Sequence, residues 1–387
     1  MPQSPCAAPL TAQRLICIDA LRGLVMLFML LDHVRETFLL HRQVSDPMDV
    51  TSVEPALFFS RTLAHLCAPV FILLTGLSAF LYGRNKGGRR ASAQFLLTRG
   101  LFLIALELTL VNFAWTLQWP PQVIYLQVIW AIGISMVALS LLLWLPRPWL
   151  VAVGVLIVAG HNLLDGVHFA ADSPWHGLWA VLHDRGWLEL GGLRLRTSYP
   201  VLPWFGVIML GYAMGPWFAD DAPAGARLQR LALCTAGCAG LFIALRWLNG
   251  YGDAPWQPAP DALHNLMALL NITKYPPSLV FVCLTLSCGL GLLMAFERWQ
   301  ERRWVRQLAL LGGAPMFFYL LHLYVLKLLY IAAVASWGLN QGAYFGFDGV
   351  GQLWLASTLL AVALYPAAAW FAGLKRRRRD LTWLRYL

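Results

Sequence analysis

Charge is scarce in this chain. Only 12% of its 387 residues are charged, and the acidic sign is the scarcer one, with 19 Asp and Glu against 29 Lys and Arg. Ordinary soluble domains carry about twice that charge, so a soluble globular enzyme is excluded. Cysteine offers neither a disulfide framework nor a metal cluster. Cys17, Cys67, Cys234, Cys238, Cys283 and Cys288 sit in apolar runs without ligand spacing and read as inert packing residues. Cys6 precedes every apolar run and belongs to no lipobox. No Gly-rich phosphate loop, GxSxG elbow or CxxC pair is present, which removes the P-loop, serine-hydrolase and thioredoxin-type readings. The stretch HNLLDGVH, His161 to His168, offers ligating side chains, but its spacing fits no standard site, so no metal is expected. The first apolar run is long and contains Arg22, so no cleavable signal peptide is expected. No internal repeat or low-complexity linker is visible.

Apolar runs fill the space. Hydrophobic residues make up 59% of the chain, the mean hydropathy is +0.61, and 18 Trp, 12 Tyr and 20 Phe suit a protein with two membrane interfaces. At roughly 20 apolar residues per crossing, the candidate spans are 15–38, 57–82, 95–117, 122–145, 148–164, 199–219, 228–249, 276–297, 307–334 and 350–374. The predicted fold is all-α: a polytopic integral membrane helix bundle of about ten transmembrane helices. Basic residues crowd alternate connections: Arg84, Lys86, Arg89 and Arg90, then Arg147, Arg227, the run ERWQERRWVR, and KRRRRD near the end. The intervening loops 36–56, 161–198, 250–275 and 335–349 show no such excess. The positive-inside rule then places both termini in the cytoplasm. Each basic stretch adjoins a membrane span, so nucleic acid is not an expected partner; the lipid bilayer is. Three segments follow: a short cytoplasmic N-terminus 1–14, one transmembrane unit 15–374 and a basic tail 375–387. The loops 161–198 and 250–275 are expected to form ordered caps on the outer face.

Several ionisable residues interrupt the apolar runs. At membrane depth such groups are costly unless they face a protein interior or a wet cavity, so they mark a functional site by default. Asp19 and Arg22 lie three residues apart on the first helix and share a face. Asp32, His33, Arg35 and Glu36 crowd its other end, with His33 roughly 16 Å beyond Arg22. On the next helix Arg61 and His65 stand one turn apart, and the four side chains His33, Arg35, Arg61 and His65 fall at one depth. Glu107, Asn112, Gln127 and His322 lie within later spans, Lys327 is further along, and Lys274 with Tyr275 stands at the mouth of the eighth. Each of these has an ordinary reading as interhelical hydrogen-bonding or an interface anchor. An unpaired buried carboxylate such as Glu107 must be neutral or partnered.

Six stretches carry a resemblance. RLICIDALRGLVMLFMLLDH, TLAHLCAPVFILLTG, RGLFLIALELT, YPVLPWFGVIMLGYAMG, LRWLNGYGDAPW and NITKYPPSLVF together resemble the heparan-alpha-glucosaminide N-acetyltransferase family, in its bacterial branch, over about residues 14–335. The opening R-x(4)-D-x-x-R-G is also similar to that of other membrane acyltransferases. The resemblance implies a multi-pass enzyme of a bacterial-type inner membrane. It would take an acetyl group from cytoplasmic acetyl-CoA and deliver it to an amine or hydroxyl of a sugar-like or glycan acceptor on the other side. It implies a transfer histidine near the outer end of the first helix, which His33 matches, or in the following loop, where His41 stands.

On this reading His33 is the base or acetyl acceptor, with His65 and Asp32 as candidate catalytic partners. Asp32 points about 100° away from His33 on a helix. Arg35, Arg61, Glu107, Lys274 and His322 are candidate acceptor-binding residues. Arg22 and Arg99, with the basic loop 84–90, are candidate contacts for the phosphates of acetyl-CoA. The rival class is a transporter or flippase using the same buried His, Glu and Arg as a substrate or proton path, although no inverted repeat supports it. A partner subunit without activity is the third reading, and a homodimer stays open.

Overall fold

The computed structural model describes residues 15–219, 222–378 and 380–386. The predicted N-terminal segment 1–14 therefore lies outside the described residues. The helices are α1 Ile16–Phe38, α2 Pro55–Ala64, α3 Cys67–Lys86, α4 Arg89–Leu106, α5 Asn112–Thr116, α6 Val128–Leu142, α7 Arg147–Gly160, α8 His176–Leu182, α9 Leu202–Ala213, α10 Ala224–Leu248, α11 Ala262–Leu270, α12 Leu279–Arg298, α13 Arg303–Leu311, α14 Pro315–Trp337 and α15 Val350–Arg377. Three strands accompany them: β1 Val123–Leu126, β2 Gly186–Leu190 and β3 Leu193–Thr197.

Seven helical stretches among the described residues are long and apolar enough to cross a membrane: Pro55–Lys86, Arg89–Thr116, Arg147–Leu164, Ala224–Leu248, Leu279–Arg298, Pro315–Trp337 and Val350–Arg377. Three predicted spans fall to other helices. α6 and α9 are shorter, with 15 and 12 residues. α1 has 23 residues but carries Asp19, Arg22, Asp32, Arg35 and Glu36. It is nonetheless the central helix, packed by α2, α3, α12, α13, α14 and α15. A helix buried on nearly all sides is apolar nearly all round, and that is how its middle reads. At its start it comes close to α13. Gly23 lies against the Leu308 carbonyl and Gly312 against the Asp19 carbonyl, where any Cβ would collide. Small residues permit this backbone approach.

The fold departs from an all-α bundle in one place. The segment VIYL, predicted as the start of a helix over 122–145, is strand β1, and only the rest is α6. β3 pairs in parallel with β1 from Val123↔Arg194 to Leu126↔Thr197, and antiparallel with β2, giving the order β1-β3-β2. Gly191 and Gly192, with φ of 56° and 86°, close the β2–β3 hairpin. A two-residue turn of this kind needs positive φ at both positions, hence two glycines. The 161–198 loop is thus ordered by a helix, a hairpin and the strand it lends to β1.

Apolar continuity also hid two breaks. The predicted span 57–82 is interrupted at 65–66, between α2 and α3, and the predicted span 307–334 at 312–314, between α13 and α14. At the far end α15 continues past 374 to Arg377. Residues after it fold back: Leu384 packs with Ala314, Phe371 and Ala372, and the Tyr386 ring sits 5.1 Å from Phe102.

Candidate active site

α1 and α14 lie side by side, and each contributes one histidine to the contact. His33 Nδ1 stands 2.6 Å from His322 Nε2. His322 Nδ1 stands 2.7 Å from the Phe318 carbonyl, one turn back on its own helix. A carbonyl only accepts, so His322 Nδ1 carries a proton and donates it. His322 Nε2, in the neutral ring, is then an acceptor. His33 Nδ1 must therefore donate, and the lone pair of a neutral His33 is left on Nε2. The hydrogen-bond chain thereby fixes both tautomers. The rings stack at 4.9 Å, and Trp115 and Tyr319 close around His33 edge-on at 5.3 and 5.8 Å.

Two cavities border His33, and a third adjoins one of them at Arg99. A wide one of about 820 Å³ is lined by Asp32, His33, Glu36, Arg61, Arg185 and Tyr199, among others. A narrow one of about 110 Å³ shares Asp32, His33 and Tyr199 with it and reaches Arg99, Lys274 and Tyr319. A third, of about 360 Å³, shares Arg99 with the narrow one and adds Tyr82, Lys86 and Tyr386. His33 thus stands between the wide cavity and the narrow one, and Arg99 between the narrow cavity and the basic end of α3 and α4.

Charge around the wide cavity is paired. Arg35, only 1% exposed, donates through Nε to Asp32 at 2.9 Å and reaches Glu36 with its other arm. Arg61 stands 3.7 Å from Asp46, whose carboxylate also accepts from the Lys274 backbone N–H. Burial raises the Asp46 pKa against the lowering pull of Arg61 and Lys274. Burial works against the charged Lys274 ammonium, yet Tyr275 and Asp32 outweigh it and hold its pKa above the ordinary lysine value. Tyr275 donates to the Tyr199 hydroxyl at 2.9 Å, and Arg185 lies over the Tyr275 ring at 4.6 Å. The wall offers cations, carboxylates and phenols to a polar ligand.

The other predicted site residues lie elsewhere. His65 is 2% exposed at the break between α2 and α3, packs on Phe281, and has no hydrogen-bond partner on either ring nitrogen. It lines none of the three cavities. His41 packs against Gly346, off the wide cavity. Glu107 opens a π-helical turn, Glu107–Val111, and its Oε2 accepts from the Trp130 N–H at 3.0 Å. It therefore caps the first turn of α6, a favourable place for a carboxylate. Arg22 pairs with Asp19 at 3.1 Å, as their spacing predicts, and donates to Ser78 at 2.5 Å. Trp115, Tyr319 and Arg185 were not singled out from sequence. Aromatic residues are plentiful in every span, and Arg185 sits in a loop with no local pattern.

The family model described as "Heparan-alpha-glucosaminide N-acetyltransferase, catalytic" matches residues 14–245. His33, Arg99 and the three strands fall inside that match, whereas Lys274 and His322 come from the chain beyond it. No curated protein matches the chain. With more than half of its residues under that model, the chain belongs to the heparan-alpha-glucosaminide N-acetyltransferase family, a family of membrane N-acetyltransferases.

Proposed function

We propose that this protein is an acyltransferase of the bacterial branch, in a bacterial-type inner membrane, moving an acetyl group from cytoplasmic acetyl-CoA to an amine or hydroxyl of a sugar-like acceptor on the outer side. The observation that carries the reading is the position of His33. It holds a fixed tautomer with its Nε2 lone pair spare, and its ring lines both the narrow and the wide cavity. About ten crossings, with both termini cytoplasmic, put the arginine end of the narrow cavity on the side where acetyl-CoA exists. Residues 15–374 then form one catalytic unit and 375–387 its cytoplasmic tail.

The chemistry follows from the placement. Arg99, close enough to Arg22 to feel its charge, draws the phosphates of CoA, and the acyl arm lies along the narrow cavity. The acceptor enters the wide cavity, where Asp32, Arg61 and Arg185 hold its polar groups. His33 Nε2 takes the proton from the acceptor N–H or O–H as that atom attacks the thioester carbonyl. The C–S bond breaks, and the thiolate leaves with the proton returned by the imidazolium. In the two-step variant Nε2 itself takes the acetyl group before passing it on. His322 orients His33 without touching the reacting atoms. The same buried groups would serve a transporter, but a transporter breaks no thioester.

The test is direct. Detergent-purified protein given acetyl-CoA and an amino-sugar or polyol acceptor is expected to release free thiol at a rate that depends on the acceptor. Reporter fusions after Lys86 and after Arg303 are expected to read cytoplasmic, and one at residue 185 external. Acceptor-independent silence in the thiol assay returns the chain to the transporter reading. A cytoplasmic signal at 185 removes the two-sided transfer.

A further inference from the structure

Away from the three cavities, the cap segment that follows α7 gathers a second group of histidines. His161 directly follows α7, Asp165 closes the next turn, and His183 directly follows α8. His161 and His183 are 2% and 1% exposed. Neither ring nitrogen of His161 has a partner, and neither has His183 Nδ1. Buried polar atoms without partners are uncommon, and each calls for an account such as a bound ion. His183 Nε2 does lie 3.0 Å from the His161 carbonyl. That contact satisfies one nitrogen and leaves the other three orphaned.

We propose that His161, Asp165 and His183 form a binding site for a zinc-like divalent cation that fastens the cap to the end of α7. One ligand atom from each residue lies within 4.8 Å of the other two. His183 Nε2 and Asp165 Oδ1 are 3.3 Å apart. Two ligands about 2.05 Å from zinc at the tetrahedral angle stand about 3.3 Å from each other, so this pair already has the edge length. The widest pair must close by at most about 1.5 Å, and Asp165, half-exposed, has room to move. Two imidazoles and a carboxylate suit zinc, with a fourth position for water. Coordination through His183 Nε2 replaces the proton it shares with the His161 carbonyl.

The surroundings hold the ligands in place. Asn162 Nδ2 donates to the other oxygen of Asp165 at 2.8 Å, turning Oδ1 toward His183. Asn162 Oδ1 in turn accepts from the Leu279 N–H at 2.9 Å, tying the turn to the start of α12. Such outer contacts orient metal ligands and raise affinity. The consequence reaches the wide cavity. Two residues after His183, Arg185 lines that cavity, and β2 begins at Gly186. A cation at His183 would pin the strand entry and with it the Arg185 guanidinium. The HNLLDGVH stretch alone gave no metal spacing because its third strong ligand arrives from 22 residues along the chain, delivered by α8.

The experiment uses full-length protein in detergent, stripped with chelator and titrated with zinc chloride against a chromogenic zinc indicator. All cysteines are kept. Wild type is expected to take up one zinc per chain at submicromolar affinity, and zinc is expected to slow protease cleavage within 161–198. Asp165→Asn and His183→Gln are each expected to weaken that uptake at least tenfold and to abolish the zinc-dependent protection. If His183→Gln fails to fold, Asp165→Asn, a change at a half-exposed carboxylate, decides alone. Equal zinc uptake by wild type and Asp165→Asn, or no uptake by wild type below micromolar zinc, overturns the site. Acetyl transfer plays no part in either readout.

Discussion

Two histidine pairs occupy this protein, and they differ in what their nitrogens meet. In the His33–His322 pair a chain of hydrogen bonds assigns every proton: the Phe318 carbonyl fixes His322, and His322 fixes His33. One nitrogen remains, on a ring that lines two cavities. In the His161–His183 pair the rings stand 5.7 Å apart, three of four nitrogens lack partners, and none of the three cavities reaches them. The first arrangement suits a base, because one lone pair is exposed in a defined direction. The second suits a ligand set, because one ligand atom from each of His161, Asp165 and His183 lies within 4.8 Å of the other two. Residue type alone does not separate these roles; the partner of each nitrogen does.

The comparison breaks most sharply at His33. His33→Asn keeps polarity and most of the volume but removes the base. Loss of a general base typically costs 10²–10⁴-fold in rate, and that loss is expected for acceptor-dependent thiol release, with acetyl-CoA binding kept. His183→Asn is expected to leave the rate within about an order of magnitude, since it touches no reacting atom. A folded His33→Asn protein with near wild-type turnover would mean that the exposed lone pair is not the one that matters.

How much of this was legible in the sequence depends on the kind of information each element needs. Helix α1 announced itself, because Asp32, His33 and Arg35 stand in an apolar run where lipid would reject them. The Asp19–Arg22 pair followed from helical spacing. The His33–His322 contact did not follow, although both residues were singled out: they are 289 positions apart, and only the packing of α14 on α1 joins them. Glu107 was singled out inside its span, but its partner was not legible, since that partner is the N-terminus of a helix that begins 21 residues later. The strand VIYL lay inside a longer apolar run, where a buried strand and a buried helix have the same pattern. His65 looked equivalent to His33 because both are histidines in neighbouring apolar spans at one predicted depth. The hydrogen bond to His322 and the course of the cavities distinguish them.

A smaller effect is expected at His322, whose work is positional. It supplies one hydrogen bond to His33, and one such bond contributes about 0.5–1.5 kcal/mol net. That corresponds to roughly 2–10-fold in rate at 1.36 kcal/mol per decade. His322→Leu, similar in volume and without an acceptor, is expected to lose that much turnover and to shift the pH profile, because the His33 tautomer is no longer held. His322→Gln keeps an acceptor oxygen and is expected to recover most of the loss. If Leu and Gln behave alike, His322 serves packing alone and the relay is not needed.

The smallest change is expected at His65, and it sharpens the comparison from the other side. His65 is more deeply buried than the half-buried His33, and it has neither a hydrogen-bond partner nor a place on either cavity that His33 lines. A buried polar group without partners costs free energy, and replacing it by an apolar group of similar size is near neutral or stabilising. His65→Leu is close in volume and keeps the contact with Phe281, so overpacking is small. Thermal unfolding in detergent is expected to stay level or rise by a few degrees, and acceptor-dependent thiol release to stay within about threefold. His65 and His33 would then differ in the one property that chemistry needs, an open lone pair facing a substrate. A folded His65→Leu protein with a hundredfold loss of turnover would reverse the assignment, making the break between α2 and α3 part of the catalytic site and leaving His33 as its support.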